Sequence, residues 1–201
     1  MTKPCWIMGF FALFLFVNAC EKTPDISEKR NSIPTPEVLD THCRDMVGAP
    51  RVERISEHVW AAMGYDLAST VLIQTPAGYV VIDTGMSPER ARVAKKALES
   101  KIAAGPVAAV VYTHSHIDHV GGASVWAKKG TPIWATNALP EHLLKQYQVY
   151  LPAESARGRR QFGWHVSLED LPCSALGKRV DLDAAFESGM LLPTHTFSGK
   201  K

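Results

Sequence analysis

The chain has 201 residues, 46% of them hydrophobic and 21% charged, with a formal net charge of +2. That balance is ordinary for a globular domain and lacks the one-sign excess a nucleic-acid surface needs, so no nucleic-acid partner is expected. Four cysteines occur, none in a Cys-x-x-Cys spacing, which excludes a zinc-finger framework.

The chain begins with Lys3 ahead of an almost wholly apolar run, residues 6–17. That run is too short to span a bilayer comfortably and reads as a secretory leader. It ends Val17-Asn18-Ala19-Cys20, which resembles the bacterial lipobox. The likeness implies a lipoprotein signal peptide over residues 1–19 and lipidation of Cys20; the other reading is a plain signal peptide with a coincidental Cys. Residues 20–50, most clearly 21–37, carry Lys, Pro, Ser and Thr with few apolar side chains and are expected to be a flexible tether. An acyl chain plus tether would hold the domain at a membrane surface in the bacterial cell envelope, facing the periplasm. Cys43 and Cys173 leave two readings open, a disulfide in that oxidising compartment or two buried thiols.

The domain occupies residues 51–201. Residues 52–60 alternate loosely and predict a leading strand; residues 65–75 and 79–83 predict a hairpin around Pro76-Ala77-Gly78. Ser87-Pro88-Glu89 predicts a helix start, with Ser as N-cap, Pro in the first position and an acid in the first turn. The helix is expected to reach about residue 104, before Gly105-Pro106, with Ala91, Ala94, Leu98 and Ile102 as its core face. Residues 107–113 read as a strand buried on both faces. Residues 123–129 are helix-like, 132–135 a short strand, and 139–154 a helix limited by Pro152. Alternating strands and helices predict an α/β layer.

After the buried strand comes Thr113-His114-Ser115-His116-Ile117-Asp118-His119-Val120-Gly121-Gly122, with three imidazoles and a carboxylate in six positions. Imidazole and carboxylate are natural zinc ligands, and a strand end fixes their directions in advance. His114 and His116, two apart, lean to one side of an extended backbone and can share an ion. Asp118 and His119 follow toward a second position, where Gly121-Gly122 suits a tight turn. Two such ions would polarise an ester-type substrate, with Asp118 both ligand and candidate catalytic group.

This string, His114-x-His116-x-Asp118-His119, resembles the signature of the metallo-β-lactamase superfamily. The resemblance implies that residues 51–201 are the N-terminal part of an αββα sandwich of the α/β class. Gly78-Tyr79-Val80-Val81-Ile82-Asp83-Thr84-Gly85 resembles the strand and D-x-G turn upstream of that signature, which would make Asp83 an orienting residue behind the ligands. The string 111–119, the segment 137–163 with its Arg157, Arg159 and Arg160, and Leu191-Leu192-Pro193-Thr194 together look most like the alkyl sulfatases. That likeness implies two zinc ions in a complete enzyme and a small anionic ester as substrate.

A catalytic zinc usually has three protein ligands, and the cluster offers two per ion. In the family the rest come from further downstream. The sequence therefore reads as a truncated copy of a longer gene; the other reading is a short relative that completes its site as a homodimer. His195, His165, His142, His42 and His58 belong to no metal motif. The arginine cluster either grips a sulfate head group through forked hydrogen bonds or is simply solvated. Two rivals to the alkyl sulfatase reading stand: a lactam, lactone or thioester hydrolase of the same superfamily, and a non-catalytic metal-binding lipoprotein.

Overall fold

Residues 51–82 fold into four strands of a meander, β1 (Arg51–Ser56), β2 (Val59–Met63), β3 (Thr70–Thr75) and β4 (Gly78–Ile82), paired antiparallel in order, with alternating burial along β3 and β4. The computed structural model describes residues 36–103, 105–162, 171, 173–174, 176–178 and 188–199. The expected leader, Cys20, the tether up to residue 35 and His165 lie outside the described residues.

After β4 the chain crosses over through α2 (Pro88–Glu99) and continues parallel, as β5 (Val107–Val111), β6 (Ile133–Thr136) and the short edge strand β7 (His195–Phe197). The seven strands form one sheet in sequence order. Helices α3 (Ile117–Val120) and α4 (Ala123–Trp126) follow β5, and α4 packs beside α2. The core lies between these helices and the sheet, with Leu98, Val81, Val110, Val120 and Ala123 fully enclosed. Beyond β6 run α5 (Leu139–Leu144), a π-helical turn (Lys145–Val149) and α6 (Leu151–Gln161). The expected α/β layer is what forms.

Several boundaries differ from the sequence reading, each for a local reason. The single leading strand is a hairpin, because Glu57 and His58 are exposed at a turn that folds β2 back onto β1. The expected strand over 65–75 starts only at Thr70; Asp66 leaves the ladder to bond the backbone of Leu67 and Met86. Helix α2 does start at Ser87, whose hydroxyl accepts from Arg90 N, but it stops at Glu99. The helix expected over 139–154 is broken at Tyr150, and Pro152 sits in the first turn of α6, where its missing N–H costs nothing. The expected tether is partly ordered: α1 (Pro36–His42) and a π-helical turn (Cys43–Val47) precede β1. A disulfide joins Cys43 to Cys173 and settles the two readings of those cysteines.

Gly121 and Gly122 form the expected turn, between α3 and α4, and glycine is needed there for close approach. Their φ angles, −69° and −94°, suit any residue. A Cβ on Gly121 would lie 1.8 Å from Met86 O, and one on Gly122 2.2 Å from Thr84 O. The two glycines let the segment after residues 113–119 and the 83–86 turn touch backbone to backbone.

Candidate metal centre

Parallel pairing of β4 and β5 brings their C-terminal ends together, so the 83–87 turn and the 113–119 loop emerge side by side. Asp83 N donates to Val111 O at 2.9 Å, and Thr84 N and Oγ1 donate to His119 O at 2.7 and 2.9 Å. Such crevices at strand C-termini are where open α/β sheets place their sites.

Asp83 is the hub. Its backbone is left-handed, φ +57°, the only positive φ outside glycine among the described residues. From there Oδ1 accepts Thr113 N at 2.9 Å, and Oδ2 accepts Thr113 Oγ1 at 2.8 Å and His119 Nδ1 at 2.7 Å. Because Thr113 Oγ1 gives its proton to Asp83, it can accept from His114 Nδ1, 3.0 Å away. The network thus assigns the tautomers of both rings and leaves their Nε2 atoms facing the centre. Asp83 thus bonds the His119 ring directly and the His114 ring through Thr113.

The four motif donors sit as two pairs. His114 Nε2 lies 3.1 Å from His116 Nδ1, and His119 Nε2 lies 3.2 Å from Asp118 Oδ2. Two ligands sharing a tetrahedral zinc with bonds near 2.05 Å are about 3.3 Å apart. Each pair therefore has the spacing of two donors on one ion, and the His114 and His119 rings are 3.9 Å apart, so the pairs are neighbours. The residues fit the metal that the motif implies. Among the described residues no group of three His, Cys, Asp or Glu side chains is arranged to hold an ion.

The electrostatics agree. Burial alone would lower the His119 pKa, but its bonds to Asp118 and Asp83 outweigh that and raise it to about 9. Burial would likewise raise Asp118, yet the His119 hydrogen bond and charge hold it below the usual carboxylate range. His114 is lowered, first by partial burial and then by repulsion from His119 and His116, which keeps its ring neutral and ligand-ready.

The segment after β6 borders this loop. Ser115 Oγ bonds Gln146 Oε1 at 3.1 Å, and Tyr147 bonds the Ile117 backbone, its phenol pKa raised mainly by burial. Arg157, Arg159 and Arg160 stand on exposed faces of α6, not on a loop. Arg157 is already bonded to Glu154 at 2.6 Å and to Gln161. His195 lies in β7, stacked on Trp134 at 4.6 Å; His142 and His58 are exposed and His42 sits in α1. None of these joins the donor pairs. Sequence reasoning missed Thr113, whose hydroxyl links Asp83 to His114, and the buried Asp66–Arg90 pair behind the turn. Thr113 was in view as the last residue before the motif; the pair had no local signal.

The profile of the metallo-beta-lactamase superfamily matches residues 63–194, well over half of the chain. The chain belongs to that superfamily. It is 34% identical over 112 residues to an (R)-specific secondary-alkylsulfatase of Pseudomonas sp., covering 52% of this chain and 17% of that one. It is 31% identical over 105 residues to a linear primary-alkylsulfatase of Pseudomonas sp., covering 49% and 20%. The solved structure of a stereoselective inverting sec-alkylsulfatase of Pseudomonas sp. superposes with a TM-score of 0.72 at 25% identity, over 80% of this chain and 26% of that one. The chain thus matches about a sixth to a quarter of the length of these relatives.

Proposed function

We infer that this chain carries the metal-binding loop of a zinc-dependent hydrolase acting on alkyl sulfate esters. The observation that carries the reading is the pairing of four motif donors at ion-sharing distances, with Asp83 and Thr113 fixing their tautomers. The choice of sulfate ester is supported by the alkylsulfatase likeness.

His114 and His116 would hold one zinc, Asp118 and His119 a second. Bound there, zinc would supply Lewis-acid polarisation of the ester oxygens and charge neutralisation. The chain's own residues set the stage for this. Asp83 keeps the Nδ1 proton on His119, so Nε2 is the ligating atom. Asp118, held ionised beside His119, keeps the anionic form in which a carboxylate would hold that second ion. His114 and His116 are exposed and mark the side from which a substrate approaches. Arg157, Arg159 and Arg160 would grip the anionic head group, Arg157 by exchanging its bonds to Glu154 and Gln161. In the same reading Cys20 bears the lipid that places the domain at the periplasmic membrane surface, and a homodimer is one way to complete the ligand sets.

The test is sulfate release from a secondary or primary alkyl sulfate by the zinc-loaded full chain, beside a β-lactam, a lactone and a thioester. The expected result is turnover of the sulfate ester, cut roughly tenfold or more by joint replacement of Arg157, Arg159 and Arg160 with Ala. Turnover of only the neutral substrates would move the reading to the lactam, lactone or thioester class. Zinc uptake with no turnover would leave a metal-binding lipoprotein.

A further inference from the structure

The turn that carries Asp83 is held at two ends, and the second hold comes from outside the site. One end is tied to β5 through Asp83 N and Val111 O. The other is tied to Asp66, whose Oδ2 accepts Met86 N at 2.7 Å while Oδ1 accepts Leu67 N at 2.7 Å and Arg90 Nη1 at 2.8 Å. Asp66 is 4% exposed and Arg90 7%. Between the two ties lie Asp83 at φ +57° and Gly85 at φ +84°. A residue with a Cβ keeps the left-handed conformation only where its surroundings hold it.

A buried ion pair at this depth needs a reason other than stability. Removing two charges from water costs about what their attraction returns, and well-packed apolar residues would serve the core as well. What apolar residues cannot do is accept the Met86 N–H. That bond fixes the residue three positions after Asp83, in a turn whose Gly85 O also accepts Gly122 N from the metal loop at 2.9 Å.

We propose that the buried Asp66–Arg90 pair positions the metal centre: through Met86 N–H, Asp66 holds the 83–86 turn in the strained shape that keeps Asp83 against His119 and Thr113. Asp66 touches neither donors nor substrate, so it is a positioning residue. The proposal rests on reading residues 114–119 as a metal centre. When the Met86 tie is lost, Asp83 relaxes toward a right-handed backbone, its carboxylate leaves His119 Nδ1, and the imidazole is free to turn.

The experiment uses the full chain with Asp66→Asn, Arg90→Gln and, as a control for lost stability alone, Leu98→Ala in the core of α2. One readout is the downfield proton NMR resonance of His119 Nδ1–H bonded to Asp83, recorded without metal. The other is zinc affinity by competition with a chromophoric chelator. Asp66→Asn and Arg90→Gln are expected to lose or shift that resonance and to weaken zinc about tenfold or more. Leu98→Ala should lower the melting temperature and move neither. Folded Asp66 and Arg90 variants with wild-type resonance and affinity overturn the proposal, as does a control that moves both readouts equally. If Asp66→Asn does not fold, Arg90→Gln decides by the same criteria. A resonance lost in the variants of a chain that never takes up zinc supports the positioning role and removes the metal reading; zinc bound with an unmoved resonance removes the positioning role alone.

Discussion

Asp83→Ala should cost the metal-free chain about 3–5 kcal/mol near pH 6 and flatten the dependence of its stability on pH. Asp83 is the acceptor for Thr113 N, Thr113 Oγ1 and His119 Nδ1, and it is 5% exposed. Ala removes all three bonds, leaves His119 with one carboxylate, and must hold φ +57° without a polar side chain. The pH dependence has a definite sign. In the wild type the His119 pKa is raised from 6.5 to about 9, so its contribution is fully present below about pH 6.5 and is lost as pH rises to about 9. The size is on the order of 3 kcal/mol, and Asp118 reports the same pair from the other side, so it is not added again. Urea unfolding from about pH 6 to about pH 9.5 reads both effects. A wild type whose stability is flat over that range, or an Asp83→Ala variant as steep as the wild type, would contradict the arrangement around His119.

Opening the Cys43–Cys173 disulfide should cost a comparable amount. It joins residues 130 apart in sequence, and the chain-entropy argument gives roughly 5 kcal/mol as an upper value for a loop of that size. The bond is also placed to matter locally. Cys173 pairs with Lys178, Lys178 N donates to Asp66 O at 3.2 Å, and a Cβ on Gly177 would lie 2.4 Å from Leu67 O. Cys173 thus stands beside residues, Gly177 and Lys178, that pack against the stretch carrying Asp66. Cys43→Ser, or reduction of the wild type, is expected to lower the urea midpoint strongly. Identical midpoints for oxidised and reduced protein would show that the bridge does not constrain the unfolded chain.

Much of the site was legible because its chemistry is crowded into one run. His114 and His116 lie in the loop after β5 and Asp118 and His119 in α3, so the spacing already separates the donors into two pairs. Ser87-Pro88-Glu89 likewise states a helix start in three residues, and α2 begins there. What stayed hidden depends on partners distant in sequence. Asp66 and Arg90 are 24 residues apart, with β3 and β4 between them in sequence. The role of Gly121 and Gly122 is set by Met86 and Thr84 across the crossover, which no local pattern reveals. Residues 36–47 read as tether from composition, but helix formation there goes with a bridge to Cys173 that one sequence cannot assign. The arginine cluster was legible as charge, not as a helix face, because the break at Tyr150 resets the register of the segment.

The most direct test of the metal centre is calorimetric titration of zinc into the metal-stripped full chain, repeated in two buffers of different ionisation enthalpy. Tight uptake is predicted, lost with His114→Ala, His116→Ala or His119→Ala and accompanied near pH 7 by release of the proton that His119 holds below about pH 9. Uptake indifferent to all three replacements, or no uptake, would contradict the reading of residues 114–119 as a metal centre.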